Sequence, residues 1–277
     1  MSQWIKYKGY AAPLASPRDT TLAIGDGDWK DGLYLNGLKS LSAAAAAGLG
    51  MHKGELHLNG LATLSDTASD GLCKHKADLR LDGLTTLSAA AAQSLGMHEG
   101  SLWLDGLTSL SDAAANGLGK HKALLSLDGL TSLTDAAAES LGMHEGSLSL
   151  DGLTSLSDAA AASLGNHKGD IYFNDLKTLS DSAAESLSTL KGGLYLDDLT
   201  TLSDAAANSL GKHEGTLWLN GVKTISSAAA ESLSRHTKSL GLNGLQCFKE
   251  LSHSARVCLA QNKVIQLPGW FRNPNNL

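Results

Sequence analysis

Histidine recurs at one position of a regular repeat in this chain of 277 residues. Imidazole is a common ligand of transition metals and titrates near neutral pH, so a histidine column could bind a metal or sense pH. The column skips one repeat, which carries Leu190, and a position that accepts leucine is at least partly apolar. We therefore interpret the histidines as buried imidazoles bonded to backbone groups, with a metal site or pH sensor as the alternative. The column consists of His52, His75, His98, His121, His144, His167, His213 and His236.

A second column, of aspartate and asparagine, invites a calcium hypothesis. Calcium affinity depends on the charge of the ligands. Acceptance of a backbone N–H needs only the side-chain oxygen that Asp and Asn share. The two residue types alternate freely, so we predict a ladder of structural hydrogen bonds and no metal site. The column is Asn36, Asn59, Asp82, Asp105, Asp128, Asp151, Asn174, Asp197, Asn220 and Asn243.

Catalytic signatures are lacking. The sequence contains no Gly-x-Ser-x-Gly, P-loop or His-Glu-x-x-His motif. Its three cysteines, Cys73, Cys247 and Cys258, are too few for a disulfide framework, and reduced thiols are expected. We predict that the protein is not an enzyme and uses no cofactor.

The columns are positioned by a strand-like Leu-x-Leu motif that returns every 23 residues, ten times without insertion. A fixed period of this length indicates a solenoid, in which each unit buries its apolar face against its neighbours. The motif begins at Leu33, Leu56, Leu79, Leu102, Leu125, Leu148, Ile171, Leu194, Leu217 and Leu240.

Residues 101–123 illustrate one repeat, a strand followed by a turn and a helix. Asp105 and Gly106 supply the turn, and Ser111 stands at the N-cap of an Ala-rich helix. We expect Leu110, Ala114 and Leu118 to share the buried helical face. Glycines late in the repeat, such as Gly100 and Gly146, are interpreted as residues that end the helix in a left-handed conformation. The residue before the helical Leu is always Gly or Ser, which predicts close packing of neighbouring helices.

The unit Leu-x-Leu-x-Gly-Leu-Thr-x-Leu-Ser-Asp-Ala-Ala-Ala resembles a bacterial leucine-rich repeat over residues 31–253. It is similar to the Ala-rich 23-residue repeats typical of planctomycetes, which are related to the BspA-like class. It departs from the common plant and animal pattern, since leucine stands near the usual Asn or Cys position, and the Asp/Asn column is expected to take over that role. The resemblance implies a parallel-stranded arc used for protein recognition, and no reaction.

The predicted fold class is therefore α/β, a leucine-rich-repeat solenoid. We expect a curved parallel β-sheet of about ten strands, with one short helix per repeat on the convex side. The predicted boundaries are an N-terminal cap at residues 1–31, a ten-strand solenoid at 32–245, and a C-terminal capping helix and tail at 246–277.

One column varies freely: the outward strand position between the two core leucines. Tyr, Trp and Arg, the types enriched at binding hot spots, occur there, and acids such as Glu55, Asp78 and Asp170 precede the same strands. A stabilising ladder of stacked rings is the alternative. The predicted partner-binding residues are Tyr34, His57, Arg80, Trp103, Tyr172, Tyr195 and Trp218.

Charge and hydropathy limit the partners. The net charge of −6 argues against nucleic acid, which calls for a basic stripe. No stretch of eighteen apolar residues and no N-terminal apolar segment occurs, so we expect no membrane insertion and a cytoplasmic location, with export by another route as the alternative. The predicted function is a non-catalytic scaffold, a monomer, that binds an unidentified protein through its concave strand face. A carbohydrate- or surface-binding module and a structural spacer or assembly unit are the alternatives.

Overall fold

Short strands and helices alternate in the computed structural model, which describes residues 32–246 and 250–271. The predicted N-terminal cap, residues 247–249 and residues 272–277 lie outside the described residues. The chain divides into two compact units. Among the described residues, the first comprises 32–130 and 144–146, and the second comprises 131–143, 147–246 and 250–271.

In the first unit, strands of two residues pair in parallel in chain order, and leucines 23 residues apart face each other across neighbouring strands. Each connection between strands contains a helix of seven residues. The elements are β1 (Leu33–Tyr34), α1 (Ala43–Leu49), β2 (Leu56–His57), α2 (Asp66–Leu72), β3 (Leu79–Arg80), α3 (Ala89–Leu95), β4 (Leu102–Trp103), α4 (Asp112–Leu118) and β5 (Leu125–Ser126).

The second unit repeats this arrangement, again with parallel pairing in chain order. Its elements are α5 (Asp135–Gly142), β6 (Leu148–Ser149), α6 (Asp158–Leu164), β7 (Ile171–Tyr172), α7 (Asp181–Leu187), β8 (Leu194–Tyr195), α8 (Asp204–Leu210), β9 (Leu217–Trp218), α9 (Ser227–Leu233), β10 (Leu240–Gly241), α10 (His253–Gln261) and β11 (Ile265–Gln266).

The last strand, β11, is absent from the predicted set of ten. Ile265 pairs with Leu240, so 25 residues rather than 23 separate the two strands. The helix between them, α10, is also longer, at nine residues. The Ile-x-Leu motif of β11 does not follow the 23-residue period, so a search for that period does not find it. The last helix itself, expected in the C-terminal segment, is confirmed.

The core consists of the strand leucines, the turn leucine and one face of each helix. Leu102, Leu104 and Leu107 are fully buried in the fourth repeat, as are Ala114 and Leu118 in its helix. Ser111 accepts a hydrogen bond from the backbone N–H of Ala114 at 3.2 Å, which confirms the predicted N-cap. Leu110 precedes this cap and is only half-buried, so its expected place on the buried helical face is wrong.

The interpretation of the late glycines as left-handed helix ends is wrong. Helix α3 ends at Leu95, and its C-cap residue, Gly96, has an ordinary right-handed φ of −63°. Gly100 lies in the following loop, with no positive φ, where a Cβ atom would come within 2.3 Å of the carbonyl oxygen of Ala77. Glycine is needed there because two backbones of neighbouring repeats approach each other closely.

Small residues on the helices also permit close packing, as predicted. A Cβ atom on Gly117 of α4 would lie 2.6 Å from the backbone nitrogen of Gln93 in α3. Backbone therefore contacts backbone between these helices. Among the described residues, no helix combines the length and the apolar character needed to span a membrane.

Candidate functional site

The variable column lies on the face of the strands opposite to the core. In β4, for example, Leu102 and Leu104 are fully buried, while Trp103 between them is half-exposed. Successive side chains of a strand point to opposite faces, so the remaining members of the column point the same way. We call Tyr34, His57, Arg80 and Trp103 the first-unit row, and Tyr172, Tyr195 and Trp218 the second-unit row.

The first-unit row forms two contacts between rings or charged groups. The rings of Tyr34 and His57 stack with their centroids 4.1 Å apart and an angle of 26°. The guanidinium carbon of Arg80 lies 4.0 Å from the centroid of the Trp103 ring, a cation–π contact. His57 Nε2 also lies 3.3 Å from a carboxylate oxygen of Glu55. Tyr34 is the most exposed member, at 47%.

The second-unit row is a stack of three rings on adjacent strands. The centroids of Tyr172 and Tyr195 are 4.2 Å apart at an angle of 17°, and those of Tyr195 and Trp218 are 6.3 Å apart. Burial, followed by the nearby Tyr195 and Asp170, raises the pKa of Tyr172 to about 12. Its hydroxyl therefore stays protonated at neutral pH.

Both interpretations of the column thus describe part of its geometry. The rings stack as a ladder, and they also lie half-exposed on a solvent-facing sheet surface. Ser126 and Ser149 in the same column are buried. The Ser126 hydroxyl donates to Asp105 Oδ1 at 2.5 Å, so it serves the adjoining ladder rather than the surface.

The Asp/Asn column forms the predicted ladder, and its bonds join neighbouring repeats. The backbone N–H of Asp128 donates to Asp105 Oδ1 at 3.2 Å, and that of Asn174 donates to Asp151 Oδ1 at 2.9 Å. Asparagine adds an amide bond to its neighbour, as when Asn59 Nδ2 donates to Asp82 Oδ2 at 2.9 Å. In each case the donor lies 23 residues from the acceptor.

Consecutive carboxylates of this ladder affect one another. Burial raises the pKa of Asp105, and the nearby carboxylates of Asp128 and Asp82 add to this effect. The hydrogen bond from Ser126 and that from the Asp128 backbone oppose it. Sequence reasoning treats these acids only as turn residues and misses that they belong to the same face as the first-unit row. The sequence does indicate this, because Asp82 lies two residues after Arg80, and residues two apart in an extended chain point to the same side.

The histidine column is buried, as predicted, and its rings stack. Its members are at most 7% exposed, and Leu190 is 1% exposed. Ring centroids of neighbouring histidines are 5.7 to 6.2 Å apart where both belong to one unit. His75 Nδ1 lies 3.0 Å from the His52 carbonyl oxygen, and His121 Nε2 lies 2.8 Å from that of Gly100.

Burial lowers the pKa of several of these histidines. For His98 it lowers the pKa to about 4, and the nearby His75 and His121 contribute in the same direction. The pKa values of His75, His121, His213 and His236 are also lowered, mainly by burial. In the part of the chain that the structure describes, no group of three or more His, Cys, Asp or Glu side chains has the arrangement of a metal site.

A further network joins the helix N-termini and is not evident from the sequence. The N-cap hydroxyl of Ser157 donates to Asp135 Oδ1, in the first turn of the preceding helix, at 2.5 Å. Ser180 donates in the same way to Asp158. The Ser-Asp pair within each repeat predicts a cap and a first-turn acid, but sequence spacing does not show that the bond reaches 22 residues back along the chain.

Comparisons with known proteins connect this geometry to solved structures. No protein-family model matches the sequence, and no curated protein matches it. The crystal structure of the TLR13–ssRNA13 complex contains a similar chain, with 17% identity and a TM-score of 0.54 over 82% of this chain and 33% of the TLR13 chain.

Two further solved structures also match this chain. An internalin, InlF, from Listeria monocytogenes is 18% identical over 86% of this chain and 79% of its own, with a TM-score of 0.45. Toll, in the Toll–Spatzle complex of Drosophila, is 13% identical over 83% of this chain and 37% of its own, with a TM-score of 0.46. The chain thus spans about a third of the TLR13 and Toll chains that it matches. The 23-residue period, the parallel strand pairing within each unit and the likeness to the TLR13 chain together identify a leucine-rich-repeat solenoid fold.

Proposed function

We propose that the protein is a non-catalytic recognition scaffold that binds a partner protein through the exposed face of its strands. The observation that carries this proposal is the variable column. Core, cap and ladder positions repeat almost unchanged, whereas this column changes from strand to strand and places Tyr, Trp and Arg on the surface. These are the residue types that dominate binding energy at protein interfaces. The TLR13 chain with the same fold was solved in complex with RNA, and the net charge of −6 favours protein for this chain.

The stacking geometry favours protein over carbohydrate as the partner. Sugar rings bind to aromatic platforms whose faces are open. The faces of Tyr195 are instead directed at Tyr172 on one side and Trp218 on the other. The row therefore offers ring edges and a phenol hydroxyl to solvent, which suits side chains and backbone groups of a protein.

We further propose that the repeats belong to the Ala-rich planctomycete type related to BspA-like repeats, that the protein is a cytoplasmic monomer and that it catalyses no reaction. The 23-residue unit supports the repeat type, and the lack of a catalytic motif supports the assignment as a non-enzyme.

Affinity capture from a lysate of the source organism tests the proposal. The bait is the parent protein or the variant Tyr172→Ser/Tyr195→Ser/Trp218→Ser, whose serines imitate Ser126 and Ser149 of the same column. The matched control is Met51→Ser/Met97→Ser/Met143→Ser, which removes three side chains that are 67% to 77% exposed but lie away from the strands. Circular dichroism confirms the fold of each bait.

We expect a protein that the parent and the methionine control capture and the face variant does not. A partner captured equally by all three baits would overturn the proposal and indicate that the stacked rings serve stability alone. Loss of the partner from the methionine control only would move recognition to the loops that follow the helices.

A further inference from the structure

The first-unit row lies in a strongly acidic surround. Among the described residues of this unit, five carboxylates precede or follow the strands on the same face, against a single guanidinium, that of Arg80. They belong to Glu55, Asp78, Asp82, Asp105 and Asp128. Two lysines of this unit that form ion pairs, Lys76 and Lys122, do so with Glu99 and Glu145, in the loops between helices and strands. These two lysines thus pair with acids outside the strand face.

We propose that the first-unit row and its acidic surround bind an extended, arginine-bearing segment of the partner protein. This inference rests on the proposed function and specifies the chemistry of the partner segment that binds the first-unit row. Complementary charge gives such a complex its specificity and speeds association.

The ladder acids provide closely spaced anionic positions. Asp82, Asp105 and Asp128 follow consecutive strands, and neighbouring strands lie about 4.8 Å apart. Like charges at this spacing repel each other. Burial is the main cause of the raised pKa of Asp105, and the neighbouring carboxylates of Asp128 and Asp82 add to it. A cation bound above these carboxylates would relieve the repulsion, which gives the face a reason to prefer a basic partner.

The contact between Arg80 and Trp103 indicates why the cation should be arginine. It shows that a guanidinium stacks on this indole at 4.0 Å. Guanidinium also donates two parallel hydrogen bonds to a carboxylate, which the ammonium of lysine does not. Alternate side chains of an extended segment are about 6.7 Å apart, so two or three arginines match a row that crosses four strands.

Fluorescence anisotropy with labelled peptides of defined sequence tests the inference. The probe is a decapeptide of alternating arginine and serine, and the comparison peptides replace arginine with lysine or glutamate. The variant Asp82→Asn/Asp105→Asn/Asp128→Asn removes three charges from the face, and asparagine already occupies this column at Asn36 and Asn59. The control Asp66→Asn/Asp70→Asn/Asp112→Asn makes the same change of net charge on helices α2 and α4. Trp103→Ser removes the indole.

We expect the arginine peptide to bind the parent, the lysine peptide to bind more weakly, and the glutamate peptide not to bind. Affinity should fall at least about tenfold in the face triple variant and in Trp103→Ser, and less than about twofold in the helix control. Equal losses in both triple variants would show non-specific attraction and overturn the inference. If the arginine peptide fails to bind although the capture experiment finds a partner on the face, this inference fails and the proposed function stands.

Discussion

At the residue scale, aspartate and asparagine form the same hydrogen bond between repeats but differ in their effect on the free energy of folding. Both offer Oδ1 to the backbone N–H of the next repeat. Asparagine also donates its amide to a neighbouring carboxylate, as Asn59 does to Asp82. An aspartate between two aspartates has no such donor and carries a partly buried charge beside like charges.

Asp105→Asn is therefore expected to stabilise the protein at pH 7. Burial and neighbouring acids raise the pKa of Asp105. An acid whose pKa is higher in the folded than in the unfolded state weakens the fold above its unfolded pKa. Removing this charge while keeping the acceptor should raise the free energy of unfolding by about 1 kcal/mol.

The comparison variant Asp105→Ala loses the acceptor for Ser126 and for the Asp128 backbone. It should lower the free energy of unfolding by about 1–3 kcal/mol. Urea unfolding at pH 7 measures both variants. Destabilisation of Asp105→Asn to the same degree as Asp105→Ala would contradict the charge argument.

His98 should make the fold sensitive to mild acid. Its folded pKa, about 4, is lower than the ordinary value of 6.5. The stability that the neutral ring contributes is fully present above pH 6.5 and is lost as the pH falls through the folded pKa, near 4. The two pKa values correspond to about 3 kcal/mol.

His98→Leu imitates Leu190, the natural leucine of the same column, and removes this titration. The variant should lose less stability than the parent between pH 6.5 and pH 4, as measured by thermal unfolding across that range. His253→Leu, at an exposed histidine, is the control and should behave as the parent does. An unchanged pH dependence in His98→Leu would show that the pKa of His98 does not differ between the folded and unfolded states.

At the element scale, the helix N-termini are joined from repeat to repeat. Each N-cap hydroxyl accepts a bond within its own helix, and several donate to the first-turn aspartate of the preceding helix. One hydroxyl therefore satisfies a helix end and links two repeats. This arrangement ties the start of each helix to its neighbour as well as to its own first turn.

A comparison of two N-cap serines separates the contribution of the bond between repeats from that of the cap itself. Ser180 has both bonds, to the Ala183 N–H and to Asp158. Ser111 caps α4 through the Ala114 N–H, but the preceding helix, α3, begins with Ala89, which has no carboxylate. Ser180→Ala should cost about 1 kcal/mol more than Ser111→Ala, which loses the cap bond alone. Equal losses in urea unfolding would mean that the Ser180–Asp158 bond contributes nothing.

The elements show where sequence reasoning succeeds in a repeat protein. Strands, helix N-caps and the Asp/Asn ladder can be predicted because the 23-residue period gives all members of a column the same environment. Ser111 therefore represents the N-cap column, and Asp105 represents the ladder. The glycine interpretation fails because Gly100 meets a backbone 23 residues away in the chain, a contact that no local signal reveals. The strand β11 escapes prediction because its repeat is two residues longer.

For the candidate site, sequence patterns predict the positions but not the contacts. Alternation around the core leucines predicts which side chains reach the surface, and the structure places them there. Whether neighbouring rings stack depends on side-chain rotamers, which the sequence pattern does not determine. The pairing of Arg80 with Trp103 is thus recognisable only in three dimensions.

At the scale of the whole molecule, the repeat separates the positions that supply stability from the one column that varies. Each repeat contacts chiefly its neighbours, so the columns that recur unchanged supply a nearly additive stability. The variable column can then change without loss of the core. This separation is why the proposed function rests on that column alone.

The ladder also predicts how the whole molecule responds to metal ions. Its side chains bond to backbone N–H groups rather than to a cation. The midpoint of thermal unfolding should therefore be the same with millimolar calcium as with EDTA, since a ligand that does not bind the native state cannot stabilise it. A rise in the midpoint with calcium would contradict the hydrogen-bond interpretation of the ladder.

Hydroxyl-radical footprinting, read by mass spectrometry, tests the central claim most directly. The protein is oxidised in buffer and again in a lysate of the source organism, so that the partner need not be identified first. We predict protection in the lysate of Trp103, Tyr172, Tyr195 and Trp218, with unchanged oxidation of the exposed Met51, Met97 and Met143 as internal controls. Protection of the methionines with unchanged strand-face aromatics would contradict recognition through the strand face.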